Sequence, residues 1–582
     1  MDKDNPGSAA LGLPGFSFAK NQFCTMTQFK AFKHPYKTDP KYKQKVAYFS
    51  MEFGIDQALK IYSGGLGYLA GSHMRSAYDL KQNLIGIGIL WKYGYYDQTR
   101  RGNGEMDVLF MERHYNFLED TGIVFDLYVH NHPVKVKVWY LAPETFGTAP
   151  IFLLSTQHPE NDYLSQTICH QLYSNNLEAK IAQYMLLGLG GAKLLDILGF
   201  DPDTYHLNEA HALPAAFHLY EKYGVLEEVR KRIVFTTHTP VEAGNEKHDI
   251  YLLEKMGFFG GLHLDAVRKL TNIYDRTFNQ SLAALRLARM ANGVSKMHGE
   301  VSREMWGEYN DISPITHITN SQNHAYWHDP ELDKAVEKDN NKALWKRKLE
   351  LKKELFKIVA DQTGKIFDPN VLTVVWARRY AGYKRADLIT KDWGRFEAMV
   401  QNTDRPIQII WGGKPYPMDH QAIGTFNQLI NISHKYPNVA VLTGYELALS
   451  KAMKQGSDIW LNNPRVPREA SGTSGMTAAM NGSVNLSTLD GWMPEFAKHS
   501  HNSYVVPEAD RSQPEEMVDE FDRINLMNVL EKEILPTYYD NHSKWLDIVK
   551  NGLKEVVPFF DSDRMADEYY KKLYKTAVKA KV

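Results

Sequence analysis

The sequence has little cysteine, almost no net charge and no long apolar run. Its 582 residues include two cysteines, Cys24 and Cys169, too few for a disulfide framework and typical of a reducing compartment. The formal net charge is −1, so there is no basic field to attract nucleic acid or an acidic membrane. No stretch approaches the roughly 18 apolar residues of a membrane span, and the N-terminus does not resemble a signal peptide. We therefore expect a cytoplasmic protein with no nucleic-acid or membrane partner.

The apolar runs alternate with helical patterns along the whole chain, as in α/β proteins. Short, β-rich runs of this kind indicate buried parallel strands. The candidate strands are 45–50, 84–90, 151–155, 204–208 and 232–237, then 371–377, 406–411, 438–442, 458–461 and 483–487. Strand–helix alternation in both sets predicts two doubly wound, Rossmann-like α/β domains.

A charged, helix-favouring stretch, residues 329–364, separates the two sets of strands. We place the domain boundary just before it. The sequence therefore predicts an N-terminal α/β domain over residues 1–328 and a C-terminal α/β domain over residues 329–535. Residues 536–582 have a helical, aromatic pattern and no candidate strand.

One motif follows the first strand of each predicted domain, at the place where open α/β sheets bind ligands. The stretch YSGGLGYLAG, residues 62–71, opens a helix, and its glycines allow backbone N–H groups to approach an anion. A simple tight turn is the alternative. The stretch WARRYAGYKRADL, residues 376–388, places Arg378, Arg379, Lys384 and Arg385 at one strand end. Four cations there favour phosphate recognition, and a solvated basic turn is the alternative.

Histidine, asparagine and glutamate side chains follow two other strands. They occur in HLNEAHAL and TTHTPVEAGNEKHD and comprise His206, Asn208, Glu209, His211, His238 and Glu242. None of these positions has the tight spacing of metal ligands, so we predict no metal site. Hydrogen bonding to ligand hydroxyl groups accounts better for this mixture of residues.

A third motif lies at residues 467–492, PREASGTSGMTAAMNGSVNLSTLDGW. Glycines and small hydroxyl residues stand between two apolar segments. This pattern is typical of a loop that opens a helix and holds an anion. Position 477 within it is a threonine.

Several long stretches, in order, resemble those of one family. They are YFSMEFGI, IYSGGLGYLAG, HLNEAHA, FTTHTPVEAGNE, VSKMHGEVSREMW, ARRYAGYKRADL and LNNPRVPREASGTSGM followed by NLSTLDGW. From about residue 45 to about residue 500 the chain resembles the α-glucan (glycogen and maltodextrin) phosphorylases of glycosyltransferase family 35, in particular their short bacterial and archaeal branch.

The resemblance implies a glycosyltransferase-B architecture, in which two Rossmann-like domains enclose a deep cleft and the final helix crosses back to the first domain. It also implies retaining transfer of glucosyl units between an α-1,4-glucan and phosphate. In this family pyridoxal phosphate takes part through its own phosphate group. The implied partners are an α-1,4-glucan and phosphate or a phosphorylated sugar. Whether the chain forms a homo-oligomer is left open.

The resemblance assigns roles residue by residue. Arg379, Lys384 and His238 correspond to residues that hold the phosphates and contact the sugar at the cleavage site. The phosphate and cofactor cradle corresponds to Gly64, Gly65, Gly67, Tyr445, Thr473, Gly475 and the position of Thr477. The sugar-binding groups are Asn320, Glu469, Ser471 and Gly472, to which we add His211.

The chain departs from the family at position 477. The family has there the lysine that forms a Schiff base with pyridoxal phosphate, and a threonine hydroxyl cannot form an imine. Further departures are Asn176, Gln183-Tyr184 and Ser321-Gln322-Asn323.

Three hypotheses follow from these departures. The first is a phosphorylase-like transferase with no covalent cofactor. Whether it binds pyridoxal phosphate non-covalently is left open. The second is a cofactor-free glucosyltransferase that uses a sugar nucleotide or a glucan chain as donor. The third is a non-catalytic glucan-binding homologue.

Overall fold

The computed structural model describes Phe29 and residues 31–575, so Cys24 lies outside the described residues. Within that part the chain is a mixed α/β protein. Its strands form a nine-stranded sheet, a six-stranded sheet and two small two-stranded sheets. Among the described helices, none is long and apolar enough to cross a membrane.

The strands are as follows, in chain order: β1 (Val46–Phe49), β2 (Leu84–Ile89), β3 (Asp97–Arg100), β4 (Met106–Leu109), β5 (Glu119–Val129), β6 (His132–Leu141), β7 (Ile151–Ser155), β8 (Thr204–Asn208), β9 (Ile233–Thr236), β10 (Lys247–Asp249), β11 (Thr277–Asn279), β12 (Met290–Gly293), β13 (Ile315–His317), β14 (Leu372–Ala377), β15 (Ile407–Gly412), β16 (Val439–Val441), β17 (Ile459–Asn462), β18 (Val484–Ser487) and β19 (Ser503–Val505).

The α-helices are as follows: α1 (Gly65–Asp79), α2 (Pro143–Phe146), α3 (Tyr163–Thr167), α4 (Leu177–Met185), α5 (Gly191–Ile197), α6 (Pro214–Tyr223), α7 (Leu226–Arg232), α8 (Ile250–Met256), α9 (Leu264–Thr271), α10 (Gln280–Leu287), α11 (Lys296–Met305), α12 (His324–Trp327), α13 (Pro330–Glu337), α14 (Asn341–Thr363), α15 (Trp393–Val400), α16 (His420–Lys435), α17 (Leu447–Gly456), α18 (Thr473–Ala479), α19 (Met493–Phe496), α20 (Glu515–Val529), α21 (Leu535–Asp540), α22 (His542–Phe560) and α23 (Ser562–Tyr569).

The nine-stranded sheet has the order β13-β12-β9-β8-β1-β2-β7-β6-β5. From β13 to β7 neighbouring strands are parallel, whereas β6 is antiparallel to both β7 and β5. The prediction of parallel pairing is therefore wrong for one side of β7. The long hairpin of β5 and β6 was missed, because in β5 buried residues alternate with exposed ones and give no continuous apolar run.

The six-stranded sheet has the order β16-β15-β14-β17-β18-β19, and all its pairs are parallel. β14, β15 and β17 are buried along their whole length, as expected of strands covered on both faces. The order reverses between β14 and β17, and in the nine-stranded sheet between β1 and β8. Crevices at such reversals are the usual ligand sites of open α/β sheets.

All ten candidate strands are confirmed, with ends that differ by one residue or so. The predicted helical character of the segment after Pro536 is also confirmed as far as residue 575. This segment returns to the nine-stranded sheet. Its Tyr574 hydroxyl lies 2.6 Å from His206 Nδ1, and Ser562 Oγ of α23 lies 2.6 Å from Ser76 Oγ of α1.

A buried ion pair joins α14 to the six-stranded sheet. The Lys352 ammonium contacts the Asp458 carboxylate just before β17, and both side chains are almost completely buried. Lys352 Nζ also donates to Val371 O at 2.8 Å, and Asp458 Oδ2 accepts from Thr373 N at 2.9 Å. Lys352 Nζ and Asp458 Oδ2 are therefore both paired and hydrogen-bonded, which lowers the cost of burying the two charges, whereas Asp458 Oδ1 is buried without a partner among the described residues.

We expect Lys352→Met to lower the stability of the protein by about 3–5 kcal/mol, because it leaves the Asp458 carboxylate buried and unpaired. The double variant with Asp458→Asn should recover a large part of that loss, because the amide oxygen can still accept from Thr373 N. Urea denaturation of the two variants and the wild type measures the difference. Equal destabilisation by the single and double changes would contradict the account.

Candidate active site

A cavity of about 1020 Å³ lies between the two large sheets. It is lined by segments that follow β1, β8, β9, β12 and β13 on one side and β14, β15, β16 and β17 on the other. These are the carboxyl ends of parallel strands, so the sheet topology brings together loops that are far apart in sequence. Of the site residues predicted from sequence, those that line it are Gly64, Gly65, His211, His238, Asn320, Arg379, Lys384, Tyr445, Glu469, Ser471, Gly472 and Thr473.

Cations dominate the wall that follows β14. Arg378 and Arg379 come directly after this strand, and Lys384 lies in the next turn. The carboxylate of Glu469 accepts from Arg378 at 2.8 Å and from Lys384 at 2.6 Å. Glu469 is held in place in turn, because its backbone N–H donates to Asp490 at 2.8 Å.

The cations on this wall outnumber the carboxylate that faces them. Arg378 and Arg379 carry two positive charges, and Lys384 adds a third when it is protonated, against the single negative charge of Glu469; Arg378 Nη1 is buried without a hydrogen-bond partner. Burial and the charge of Arg378 lower the pKa of Lys384 to about 7, although Glu469 opposes the shift. Burial opposes ionisation of Glu469, but the surrounding cations outweigh it and lower the pKa of its carboxyl. The wall is therefore suited to bind an anion.

Arg385, the fourth cation of the same motif, does not belong to this wall. Its guanidinium points away, donating to Asn463 O at 2.9 Å and pairing with Asp519 at 2.8 Å and Asp522 at 2.7 Å. The prediction that all four cations meet at one anion site is wrong for Arg385. Its role is structural, because it ties the loop after β17 to α20.

The glycine-rich turn at the start of α1 already holds an anion from the chain itself. Glu52 accepts from the backbone N–H of Ser63 at 2.6 Å and of Gly64 at 3.2 Å, and from the Tyr173 hydroxyl at 2.7 Å. A Cβ on Gly67 would lie 2.6 Å from this carboxylate, which explains the glycine there. Gly65 still faces the cavity.

A chain of hydrogen bonds fixes the protonation of His238, which follows β9. Ser50 Oγ donates to Glu52 O at 2.8 Å and accepts from Asn208 Nδ2 at 3.2 Å, so the Asn208 amide oxygen faces His238. That oxygen lies 2.7 Å from His238 Nε2, which must then carry the proton. Burial lowers the pKa of His238 to about 3, so the ring is neutral. Its Nδ1 is left to accept a hydrogen bond from a ligand hydroxyl.

Several buried polar atoms of the cavity wall have no partner within the described chain. Buried polar groups in proteins are nearly always hydrogen-bonded, so such a set in one cavity indicates groups that a ligand satisfies. These atoms are His211 Nδ1, Asn320 Oδ1, Ser471 Oγ, Ser474 Oγ and Tyr68 OH. They provide both donors and acceptors, as the hydroxyl groups of a sugar require.

Three of the predicted residues, Gly67, Gly475 and Thr477, are not among those that line the cavity. Thr477 is the fifth of the seven residues of α18 and is completely buried. Its hydroxyl donates back to Ser474 O at 3.0 Å. Gly475 packs closely on Asn485 and Trp492, and a Cβ there would lie 2.6 Å from Asn485 Oδ1.

A buried lysine that the sequence analysis missed lies near α18. Lys454 of α17 is 1% exposed, and its Nζ lies 3.9 Å from the centre of the Trp327 ring and 5.7 Å from that of Tyr68. Burial lowers its pKa well below the ordinary value. The only sequence signal was a charged residue on the apolar side of a helix.

Glu52 was missed as well, although it belongs to the quoted motif YFSMEFGI. Sequence spacing does not reveal that a carboxylate eleven residues upstream folds back onto the glycine turn. Of the other candidates that follow strands, His206 is buried against Tyr574 and Thr236, and Glu242 is exposed and paired with Lys247. Neither lines the cavity.

Comparison with known proteins gives consistent matches. Residues 316–505 match the family model described as carbohydrate phosphorylase. The chain is 35% identical to a maltodextrin phosphorylase of Thermococcus litoralis, over 95% of this chain and 73% of that protein. It is 32% identical to a glycogen phosphorylase of Aquifex aeolicus, over 93% of this chain and 88% of that protein. A protein of Methanocaldococcus jannaschii, named only as uncharacterized, is 46% identical over 91% of this chain and 99% of its own length.

We expect Arg379→Ala to weaken the binding of sulfate, a divalent oxyanion, by about tenfold to a hundredfold, because a charge-assisted hydrogen bond contributes about 1.5–3 kcal/mol. Wild-type affinity should also fall as the pH rises above about 7, since Lys384 loses its proton there. Isothermal titration calorimetry measures both effects.

The matched control is Lys391→Ala, which removes a nearby lysine that pairs with Asp387 outside this cavity. It should leave sulfate affinity unchanged. Equal losses in the two variants would show that the anion responds to the general field of the region and does not bind at the wall formed by Arg378, Arg379 and Lys384.

Proposed function

This chain belongs to the carbohydrate phosphorylase family, and from that premise we propose that it is a retaining glucosyltransferase acting on α-1,4-glucans such as glycogen or maltodextrin, with phosphate as its second substrate. The observation that carries the proposal is the division of one cavity into two chemically different walls. Unbalanced cations form the wall after β14, and unpartnered hydrogen-bonding atoms form much of the rest.

Phosphate binds, on this proposal, at Arg379 and Lys384. The guanidinium of Arg379 offers a planar fork suited to phosphate oxygens, and its side chain is exposed within the cavity. Binding of a dianion there would balance the excess charge beside Glu469 and raise the pKa of Lys384 towards that of an ordinary lysine.

The terminal glucosyl unit of the glucan binds against His238, Asn320 and Ser471. The Nδ1 of neutral His238 accepts a hydrogen bond from a sugar hydroxyl, whereas the Ser471 hydroxyl can both donate and accept one. Asn320 Oδ1 is buried and unpaired, so a sugar hydroxyl that reaches it gains a hydrogen bond without displacing one.

The reaction breaks the bond between C1 of the terminal glucosyl unit and the oxygen of the next unit. A phosphate oxygen forms the new bond to C1 on the same face, and the proton of hydrogen phosphate passes to the departing oxygen. The products are glucose 1-phosphate and a glucan one unit shorter. Arg379 and Lys384 hold the phosphate next to C1 on the face from which the glucan oxygen departs, a placement that lowers the barrier by avoiding the entropy cost of bringing the reactants together.

The residues around position 477 do not fit a covalently held pyridoxal phosphate. Thr477 has no amine, its side chain is fully buried, and its hydroxyl is bonded within its own helix. The neighbouring cluster of Tyr68, Trp327, Met476 and Met480 is packed side chain on side chain. We therefore derive no step through this cofactor and propose that the chain carries none covalently.

The same proposal includes the glycosyltransferase-B arrangement, with an N-terminal domain over residues 1–328, a C-terminal domain over 329–535 and a returning segment from 536. The two large sheets, one mostly and one wholly parallel, and the cavity at the carboxyl ends of their parallel strands support it. A cytoplasmic location remains an expectation from the sequence, and whether the chain forms a homo-oligomer is left open.

The test is the release of glucose 1-phosphate from maltodextrin and inorganic phosphate, without added cofactor. We expect release by the wild type and a loss of about tenfold to a hundredfold in Arg379→Ala, seen mainly as weaker phosphate binding. Asn320→Ala should raise the KM for maltodextrin while phosphate affinity stays unchanged, because the two residues face different substrates.

Parallel assays with UDP-glucose and ADP-glucose distinguish the other hypotheses. Transfer from a sugar nucleotide without phosphorolysis would show that the cationic wall binds a diphosphate donor. Transfer between glucan chains without phosphate would show disproportionation. If maltodextrin binds but none of these reactions occurs, the chain is a non-catalytic glucan-binding homologue.

We expect Thr477→Lys to form an imine with added pyridoxal phosphate but to stay far below an ordinary phosphorylase rate. The buried site lowers the pKa of the new amine, which favours imine formation. However, the packed cluster around Tyr68 and Trp327 would displace the cofactor, and a misplacement of about 1 Å can cost on the order of a hundredfold in rate. Borohydride reduction with peptide mapping detects the adduct, and glucose 1-phosphate release measures the rate.

Thr477→Met is the matched control, similar in length but without an amine, and should give no adduct. A pyridoxyl adduct in the wild-type protein, for instance on Lys384, Lys414 or Lys454, would contradict the absence of a covalent cofactor. An ordinary rate from Thr477→Lys alone would show that the surrounding cluster leaves room for the cofactor.

A further inference from the structure

Three side chains outside the cavity converge on one point at the boundary between the two sets of strands. His324 begins α12, His328 follows its last residue, and Asp333 lies on α13. Their ligating atoms all lie within 4.8 Å of one another. The two histidines are four residues apart, so they lie on the same face of the helical turn, with ring centres 4.0 Å apart.

The hydrogen bonds of His328 fix which of its nitrogens can bind a cation. His328 Nδ1 lies 2.6 Å from the backbone oxygen of His324, and because a carbonyl can only accept, Nδ1 carries the proton. In the neutral ring Nε2 therefore has a free lone pair. Histidines that bind metals are oriented in the same way, through a donor bond from the other ring nitrogen.

The contacts to Asp333 bring two ring nitrogens to the same carboxylate oxygen. His328 Nε2 lies 3.4 Å from Asp333 Oδ2, so a lone pair faces a carboxylate oxygen. His324 Nε2 lies 3.1 Å from the same oxygen, yet it is buried and makes no hydrogen bond, because the contact is poorly directed. A shared ion between the three atoms would satisfy all of them.

The distances favour a small tetrahedral ion. Zinc binds histidine nitrogen and carboxylate oxygen at about 2.0–2.2 Å, and the edge of a tetrahedron drawn on such bonds is about 3.3–3.5 Å. The nitrogen–oxygen distances of 3.1 and 3.4 Å are close to that edge. Two imidazoles and a carboxylate also form a donor set that zinc accepts and that magnesium and calcium do not prefer.

We propose that His324, His328 and Asp333 form a zinc site, with water as the fourth ligand. All three side chains are partly exposed, which gives the ion a path from solvent. The prediction of no metal site concerned the clusters after β8 and β9 and overlooked this pair, whose signal was the spacing in HAYWH, residues 324–328.

The ion would join α12 to α13 across the predicted domain boundary. The same short helix carries Trp327, which packs on Tyr68 and Lys454, and it follows Asn320 of the cavity by four residues. Zinc would therefore stabilise the position of α12, and with it the cavity wall that includes Asn320 and Tyr68. It would be a structural ion that takes no part in the reaction.

The experiment uses the full chain after dialysis against a chelator, titrated with zinc chloride and followed by calorimetry and native mass spectrometry. We expect one zinc per chain, together with a rise in the unfolding temperature as zinc is added. His328→Ala and Asp333→Asn should each weaken binding at least tenfold, and magnesium should not compete.

His499→Ala is the matched control, because His499 pairs with Glu533 at 2.8 Å but belongs to no group of three possible metal ligands in the described part of the chain. It should bind zinc like the wild type. Circular dichroism checks that each variant is folded. The proposal is overturned if the wild type takes up no zinc, or if His328→Ala and Asp333→Asn both bind it as tightly as the control.

Discussion

The carboxylate of Glu469 holds the cationic wall together, and the character of the cavity depends on it. Without it, Arg378 and Lys384 would be two like charges at the end of a buried strand, each disfavoured by desolvation. With it, both side chains have fixed positions. Because one carboxylate cannot balance three cations, the wall stays short of negative charge when empty. A phosphate completes this arrangement, whereas a neutral sugar would leave the excess charge unbalanced, which is why these cations argue against a site for sugar alone.

The opposite wall shows how the chain limits where that phosphate can lie. The glycine turn could attract an anion, but Glu52 already binds the N–H groups of Ser63 and Gly64. A phosphate placed directly on those groups would meet a carboxylate. The free positive charge thus lies on one side of the cavity, and the unpartnered atoms His211 Nδ1 and Asn320 Oδ1 belong to another part of the wall. On the proposed function, this separation places the phosphate and the sugar at different parts of one cavity.

Sequence patterns predicted what depends on short-range periodicity. Apolar runs such as 371–377 revealed the parallel strands, and residues directly after them, such as Arg379 and His238, lie in the cavity because strand ends share one edge. Side-chain direction depends on tertiary contacts and was not predictable in this way. Arg385, one position after Lys384, turns to Asp519 and Asp522 because its backbone has φ of 50°. The hairpin of β5 and β6 was not predicted either, because a strand with one solvent-exposed face has no continuous apolar run.

Thr477, which has no amine, lies in the same region as the buried amine of Lys454. A threonine on α18 bonds to its own helix and needs no partner, so the apolar cluster can close over it. The Nζ of Lys454, on the adjacent helix α17, lies over the Trp327 ring. When Lys454 is protonated, cation–π attraction offsets part of the free-energy cost of removing its charge from water. Trp327 is in turn linked to Thr477, because Asn481 Nδ2 donates to the backbone oxygens of both, at 2.9 and 2.8 Å. A change at position 477 therefore acts on the same packed unit as Lys454 and Tyr68. The proposal that the chain carries no covalent cofactor therefore depends on the packing of this whole unit and not on position 477 alone.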